Sequence, residues 1–141
     1  MVRILVASDA ASVYQMIAAA VESADVEVEW LQSGPALIES VRQEEPDLVV
    51  LDMQIASMGG MAVCMELRLD ESAGWIDHVG VLMLLDRRAD VFLAKRSSAE
   101  GWLVKPLDPI RIRRAVRALL DGETYHDESY QPSPVSVRGA A

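Results

Sequence analysis

The run Leu48-Val49-Val50-Leu51, opened by Pro46-Asp47 and closed by Asp52, constrains this chain more than any other stretch. An apolar run this short, with a proline before it and a Met/Gly-rich loop after it, reads as a strand buried on both faces. Such strands belong to open parallel sheets, which gather their reactive groups at the strands' carboxyl ends. Asp52 therefore reads as a reactive acid at a strand's end.

Similar stretches recur along the chain, among them Arg3-Ile4-Leu5-Val6-Ala7-Ser8-Asp9, Val81-Leu82-Met83-Leu84-Leu85 and Trp102-Leu103-Val104-Lys105-Pro106. With turn signals between them they set up a strict strand-helix alternation. The pattern predicts strands near 2–7, 26–31, 47–52, 79–85 and 101–104, and helices near 10–23, 34–45, 59–69, 88–98 and 108–121. Five of each make an α/β doubly wound, five-stranded parallel sheet. The last helix is the best defined. Asp108 caps it, Pro109 fits its first turn, Ile112, Ala115, Val116, Leu119 and Leu120 recur at helical spacing, and Gly122 stops it.

Asp52, the Lys105-Pro106 pair and the loop Met58-Gly59-Gly60-Met61 together make residues 2 to about 121 resemble the receiver domain of two-component response regulators, a flavodoxin-like fold. The resemblance implies that Asp52 accepts a phosphoryl group and that the Lys105 ammonium pairs with its carboxylate and then with the phosphoryl oxygens. It also implies a Mg²⁺ ion held by Asp9, Asp52 and the backbone carbonyl of Gln54, offsetting the charge of two oxyanions at close range.

The chain departs from the family pattern at several of these positions. Ser8 replaces one member of the acidic pair, which weakens the expected metal site. Leu85 stands where the family has a Thr or Ser that holds the phosphoryl group. Asp86 replaces a small residue and would repel that group if it faced the site. Trp102 occupies the switch aromatic's place and is expected to stay fixed outward. Phosphorylation is accordingly expected to be slow or absent and Mg²⁺ binding weak or absent.

With 141 residues the chain has room for one domain. No stretch reaches the roughly 20 apolar residues needed to cross a bilayer, and the start lacks a signal-peptide layout, so a cytoplasmic location without membrane insertion is expected, with attachment to a larger complex left open. The single Cys64 reads as core. The net charge of −9 is unevenly spread: residues 1–85 carry 3 basic and 14 acidic side chains, residues 86–117 carry 9 and 4. Nucleic acid is disfavoured as a partner, and an acidic protein surface suits the C-terminal helices. Nothing in the sequence supports an independent enzymatic activity.

Three surfaces are candidates for protein docking. One is the uncharged first helix around Tyr14, and another is the loop holding Trp75, a residue type enriched at binding hot spots. The third is the basic face of the fourth helix, fifth strand and fifth helix, which carries Arg111, Arg113, Arg114 and Arg117. Residues 122–141 form a polar tail expected to be ordered only by a partner. Two functions fit these features. One is a stand-alone pseudo-receiver serving as an adaptor or accessory subunit of a larger multi-subunit assembly. The other is a single-domain response regulator phosphorylated on Asp52 by a histidine kinase.

Overall fold

The computed structural model describes residues 1–128. Six parallel strands form one sheet: β1 Val2–Ala7, β2 Val26–Leu31, β3 Leu48–Asp52, β4 Gly80–Leu85, β5 Gly101–Val104 and β6 Tyr125–His126. Their order is β2-β1-β3-β4-β5-β6. The helices between them are α1 Ala11–Val21, α2 Gly34–Gln43, α3 Gly60–Ser72, α4 Val91–Arg96 and α5 Pro109–Leu120, and a 3₁₀ turn at Arg88–Asp90 leads into α4. The doubly wound parallel sheet expected from the sequence is present.

Both faces of the sheet are covered, and strand alternation assigns each side chain to one of them. Leu5, Ala7, Val49, Leu51, Val81, Met83 and Leu85 pack with Leu37 and Val41 of α2 and with Val63, Cys64 and Leu67 of α3. Ile4, Val6, Leu48, Val50, Leu82, Leu84 and Leu103 pack with Val13 and Ile17 of α1 and with Ile112, Ala115, Val116 and Leu119 of α5. Two-sided burial is why β3 is buried along its whole length and unbroken apolar in sequence, with Asp52 as its one polar residue.

The helix ends follow their sequence signals. Asp108 accepts the Arg111 amide at 2.9 Å as the cap of α5, and Ser33 does the same for Ala36 at 3.2 Å in α2. Gly122 ends α5 at φ +79°, a conformation that suits glycine. Gly60 begins α3 so close to β3 that a Cβ there would run into the Asp52 carbonyl. Gly60→Ala is expected to lower stability by about 2 kcal/mol, read by urea unfolding, because the obstacle is backbone and cannot rotate aside. Unchanged stability would mean that α3 slides freely along the sheet.

Two expectations are corrected. The sheet has six strands, because the domain does not end near residue 121. Glu123 to Glu128 return along β5, where Tyr125 donates to the Glu100 carbonyl and Asp127 to the Trp102 carbonyl, each at 3.3 Å. This part of the supposed tail is held by the domain itself, and the remainder of that expectation lies outside the described residues. Helix α4 is also shorter than predicted, since its first turn is 3₁₀.

Candidate functional site

The strand order reverses between β1 and β3, and Asp9 and Asp52 lie at the carboxyl ends of those two strands. Asp52 is 1% exposed and every part of its carboxylate is engaged. Oδ1 accepts from Lys105 Nζ at 2.6 Å and from the Gln54 amide at 3.1 Å, and Oδ2 accepts from the Ser8 hydroxyl at 2.7 Å. Ser8 therefore does more than leave a carboxylate out. Its hydroxyl also accepts from the Ala10 amide at 3.1 Å, which ties the β1–α1 turn to Asp52.

Asp86 faces the site. Its carboxylate accepts from Lys105 Nζ at 2.9 Å and from Gln54 Nε2 at 2.9 Å, so Lys105 bridges two acids. Burial pulls the Lys105 pKa down, but the hydrogen bonds and charges of Asp52 and Asp86 outweigh it and hold the ammonium above its ordinary range. Burial pushes Asp86 up, yet the hydrogen bonds from Gln54 and Lys105 and the charges of Lys105 and Arg87 leave it below the ordinary aspartate value.

An acid depressed on folding contributes stability that is complete above its unfolded pKa and is lost as pH falls through the folded one. Asp86→Asn is therefore expected to be less stable than the parent chain at neutral pH, by a gap that closes on acidification below the unfolded aspartate range. Unfolding series at stepped pH measure that gap. A constant gap would place the cause outside the Lys105 pair.

Asp9 turns its carboxylate to the Ala56 amide, and its own amide donates to the Gln54 carbonyl at 3.1 Å. Among the described residues no group of three or more His, Cys, Asp or Glu side chains is arranged to hold a metal ion. Leu85 is fully buried in the core, with no hydroxyl to offer. Trp102 is 3% exposed, which corrects the expectation of an outward aromatic. His126 stacks on it at 4.1 Å and 3°, and Lys95 lies 5.8 Å from its ring. Its indole N–H is buried without a partner among the described residues.

The docking candidates separate. Arg111 is corrected: its guanidinium is drawn inward to Asp108, Asp127 and the Val104 and Pro106 carbonyls, and so serves the fold. Tyr14 stacks on Trp30 at 5.6 Å. Trp75 is 70% exposed, with the Arg42 guanidinium 5.5 Å from its ring. Arg113, Arg114 and Arg117 are exposed along α5. Sequence reasoning missed Asp127, a 2% exposed acid that accepts from the Val104 amide at 2.9 Å and pairs with Arg111. The signal available was an acid two residues into a Tyr-His-Asp run just past the Gly122 stop.

Residues 4–117 match the family described as response regulator receiver domain. The chain is 32% identical over 120 residues to the DNA-binding response regulator MtrA of Mycobacterium tuberculosis, covering 84% of this chain and 50% of that protein. It is 29% identical over 131 residues to the response regulator PleD of Caulobacter vibrioides, covering 92% and 28%. It thus spans half or less of these relatives. Its fold is similar to that of the chemotaxis response regulator CheY4 of Vibrio cholerae (TM-score 0.74, 24% identity, 83% of this chain and 97% of that one). It is also similar to the receiver domain of a histidine kinase from Syntrophus aciditrophicus (TM-score 0.75, 19% identity, 95% and 96%).

Proposed function

We propose, from the premise that this chain belongs to the response regulator receiver domain family, that it acts mainly as a protein-docking receiver whose phosphoryl switch on Asp52 is weak or absent. In that reading it is an adaptor or accessory subunit, and its contacts do not wait for phosphorylation. The observation that carries it is the second acid on Lys105: Asp86 holds the ammonium at 2.9 Å from the side where phosphoryl oxygens would need it. A phosphoryl group added to Asp52 would place its charge against Asp86, with Leu85 offering no hydrogen bond.

Mg²⁺, when bound, would neutralise the oxyanions that meet in the transfer. The donors here do not fit it well. Both Asp52 oxygens already accept from protein donors, Asp9 is turned to Ala56, and the position of the missing acid donates a hydroxyl proton to Asp52. The reading therefore has Mg²⁺ held weakly or not at all.

A working switch, phosphorylated on Asp52 by a histidine kinase, is the second reading, and the Lys105–Asp52 pair at 2.6 Å favours it. No helix among the described residues is long and apolar enough to cross a membrane, and the net charge of −9 favours protein over nucleic acid as partner. Incubation with acetyl phosphate and Mg²⁺ followed by intact-mass measurement decides between the readings. The docking reading expects little adduct over hours, whereas prompt adduct formation, abolished in Asp52→Ala, would establish the switch.

A further inference from the structure

Acids outnumber bases in this chain by 22 to 13, so a basic side chain has no shortage of partners. Six of them form ion pairs among the described residues: Arg3 with Glu29, Arg42 with Asp70, Arg68 with Glu71 and Glu100, Arg87 with Asp90, and Lys105 and Arg111 with two aspartates each. Arg113, Arg114 and Arg117 have no side-chain hydrogen bond or ion pair among the described residues. They lie together, one helical turn apart on the exposed side of α5.

A hollow opens on each side of the ridge that Arg113 and Arg117 make. Toward α1 lies a groove of about 250 Å³ between Ala20, Val21, Val26, Val116 and Leu120, apolar at its base and with Asp121 at one end beside Arg117. On the other side a hollow of about 390 Å³ is bounded by Ile110, Arg114, Ala118, Asp121 and Glu123, with Ile110 57% exposed at its mouth. Unpaired guanidinium groups beside apolar surface suit a ligand with carboxylates and an apolar side chain on one face.

We propose that the α1/α5 groove of this chain binds an acidic amphipathic helix of a partner protein. Two carboxylates one turn apart on that helix meet Arg113 and Arg117, and an apolar side chain between them enters the groove beside Leu120 and Val21. The inference rests on the docking reading and names the chemistry of its partner. Charge complementarity selects the occupant. A nucleic-acid backbone, charged at every step, cannot avoid Asp121 at the groove and Glu123 at the neighbouring hollow, and three arginines release few counterions. A peptide helix places its acids only where the arginines are.

The test uses the full chain and a fluorescein-labelled helical peptide with Glu at i and i+4 around a central Leu, beside a twin in which Gln replaces Glu. Fluorescence anisotropy is expected to show saturable binding of the Glu peptide, weakened at least tenfold by Arg113→Glu with Arg117→Glu and by the Gln twin. A Lys-bearing peptide is expected to recover binding to the doubly reversed chain. Both arginines are exposed, so these variants fold, and circular dichroism verifies it.

Failure of the Glu peptide to bind, binding indifferent to the reversals, or tighter binding of duplex DNA would each overturn the proposal. So would dimerisation of the chain alone that the same reversals abolish, since the occupant would then be a second copy. Binding is repeated on Asp52→Ala. If it needs an intact, phosphorylated Asp52, the docking reading fails, while the groove keeps its ligand.

Discussion

Ser8→Asp, Leu85→Thr and Asp86→Ala introduced together are expected to raise the rate of Asp52 phosphorylation by acetyl phosphate about a hundredfold, the scale associated with gaining one well-placed transition-state donor. The three changes act on different obstacles. Asp86→Ala releases Lys105 Nζ and Gln54 Nε2 from the carboxylate that now engages them. Leu85→Thr places a hydroxyl at the end of β4, and Ser8→Asp frees Asp52 Oδ2 from the hydroxyl at 2.7 Å and adds an anionic donor for Mg²⁺.

Asp86→Ala alone is expected to give the largest single gain, because it removes charge from the path of the incoming group and frees the ammonium for it. Intact-mass time courses measure the rates, with Asp52→Ala added to the triple variant as control. If the parent chain is already as fast as the triple variant, the occupied pocket is no barrier and the docking reading loses its main support.

The second large effect lies at the sheet edge. Asp127→Ala is expected to cost about 3 kcal/mol and to lower Tm by about 10 °C. The carboxylate is 2% exposed, it satisfies the Val104 amide, and it neutralises an Arg111 side chain that is itself 19% exposed. Truncation leaves a buried amide without that acceptor and removes one of the two acids that Arg111 pairs with among the described residues. Asp127→Asn, which keeps the amide's acceptor, is expected to recover about half of the loss. Thermal unfolding by circular dichroism reads both. A Tm within about 2 °C of the parent for Asp127→Ala would mean that residues 123–128 rest on the sheet without stabilising it.

The parallel sheet was legible because two-sided burial writes itself as unbroken apolar runs, and the cap of α5 because Asp108-Pro109 acts through its neighbours. The pocket was legible by position, since Asp52 ends β3 and Lys105 precedes Pro106, whereas the inward turn of Asp86 was left conditional in the sequence and is decided by Lys105 and Gln54. What escaped is whatever depends on partners far along the chain. Nothing local in Arg68 announces that it will reach Glu100, 32 residues away, at 2.6 Å. Arg111 sits at the same helical spacing as its exposed neighbours, and only the return of Asp127 decides that it points inward.

Trp102 was misplaced for the same reason, since its cover, His126, lies in a stretch whose composition is that of a tail. Strand β6 has two residues, too few for any periodicity to show.

That late strand bears on how the chain is made. During synthesis β1 to β5 can leave the ribosome while residues 123–128 are still inside the exit tunnel. Throughout that interval the outer edge of β5 offers unpaired amides and the Trp102 indole to whatever is nearby. The closing segment is also the last described part of the domain to emerge, so a pause or stop codon just after Gly122 would release a nearly complete sheet with its edge open. Ribosome-bound chains carrying a C-terminal linker that places β5 but not residues 123–128 outside the tunnel should be a preferred client for chaperones, and those with a linker long enough to free residue 128 should not.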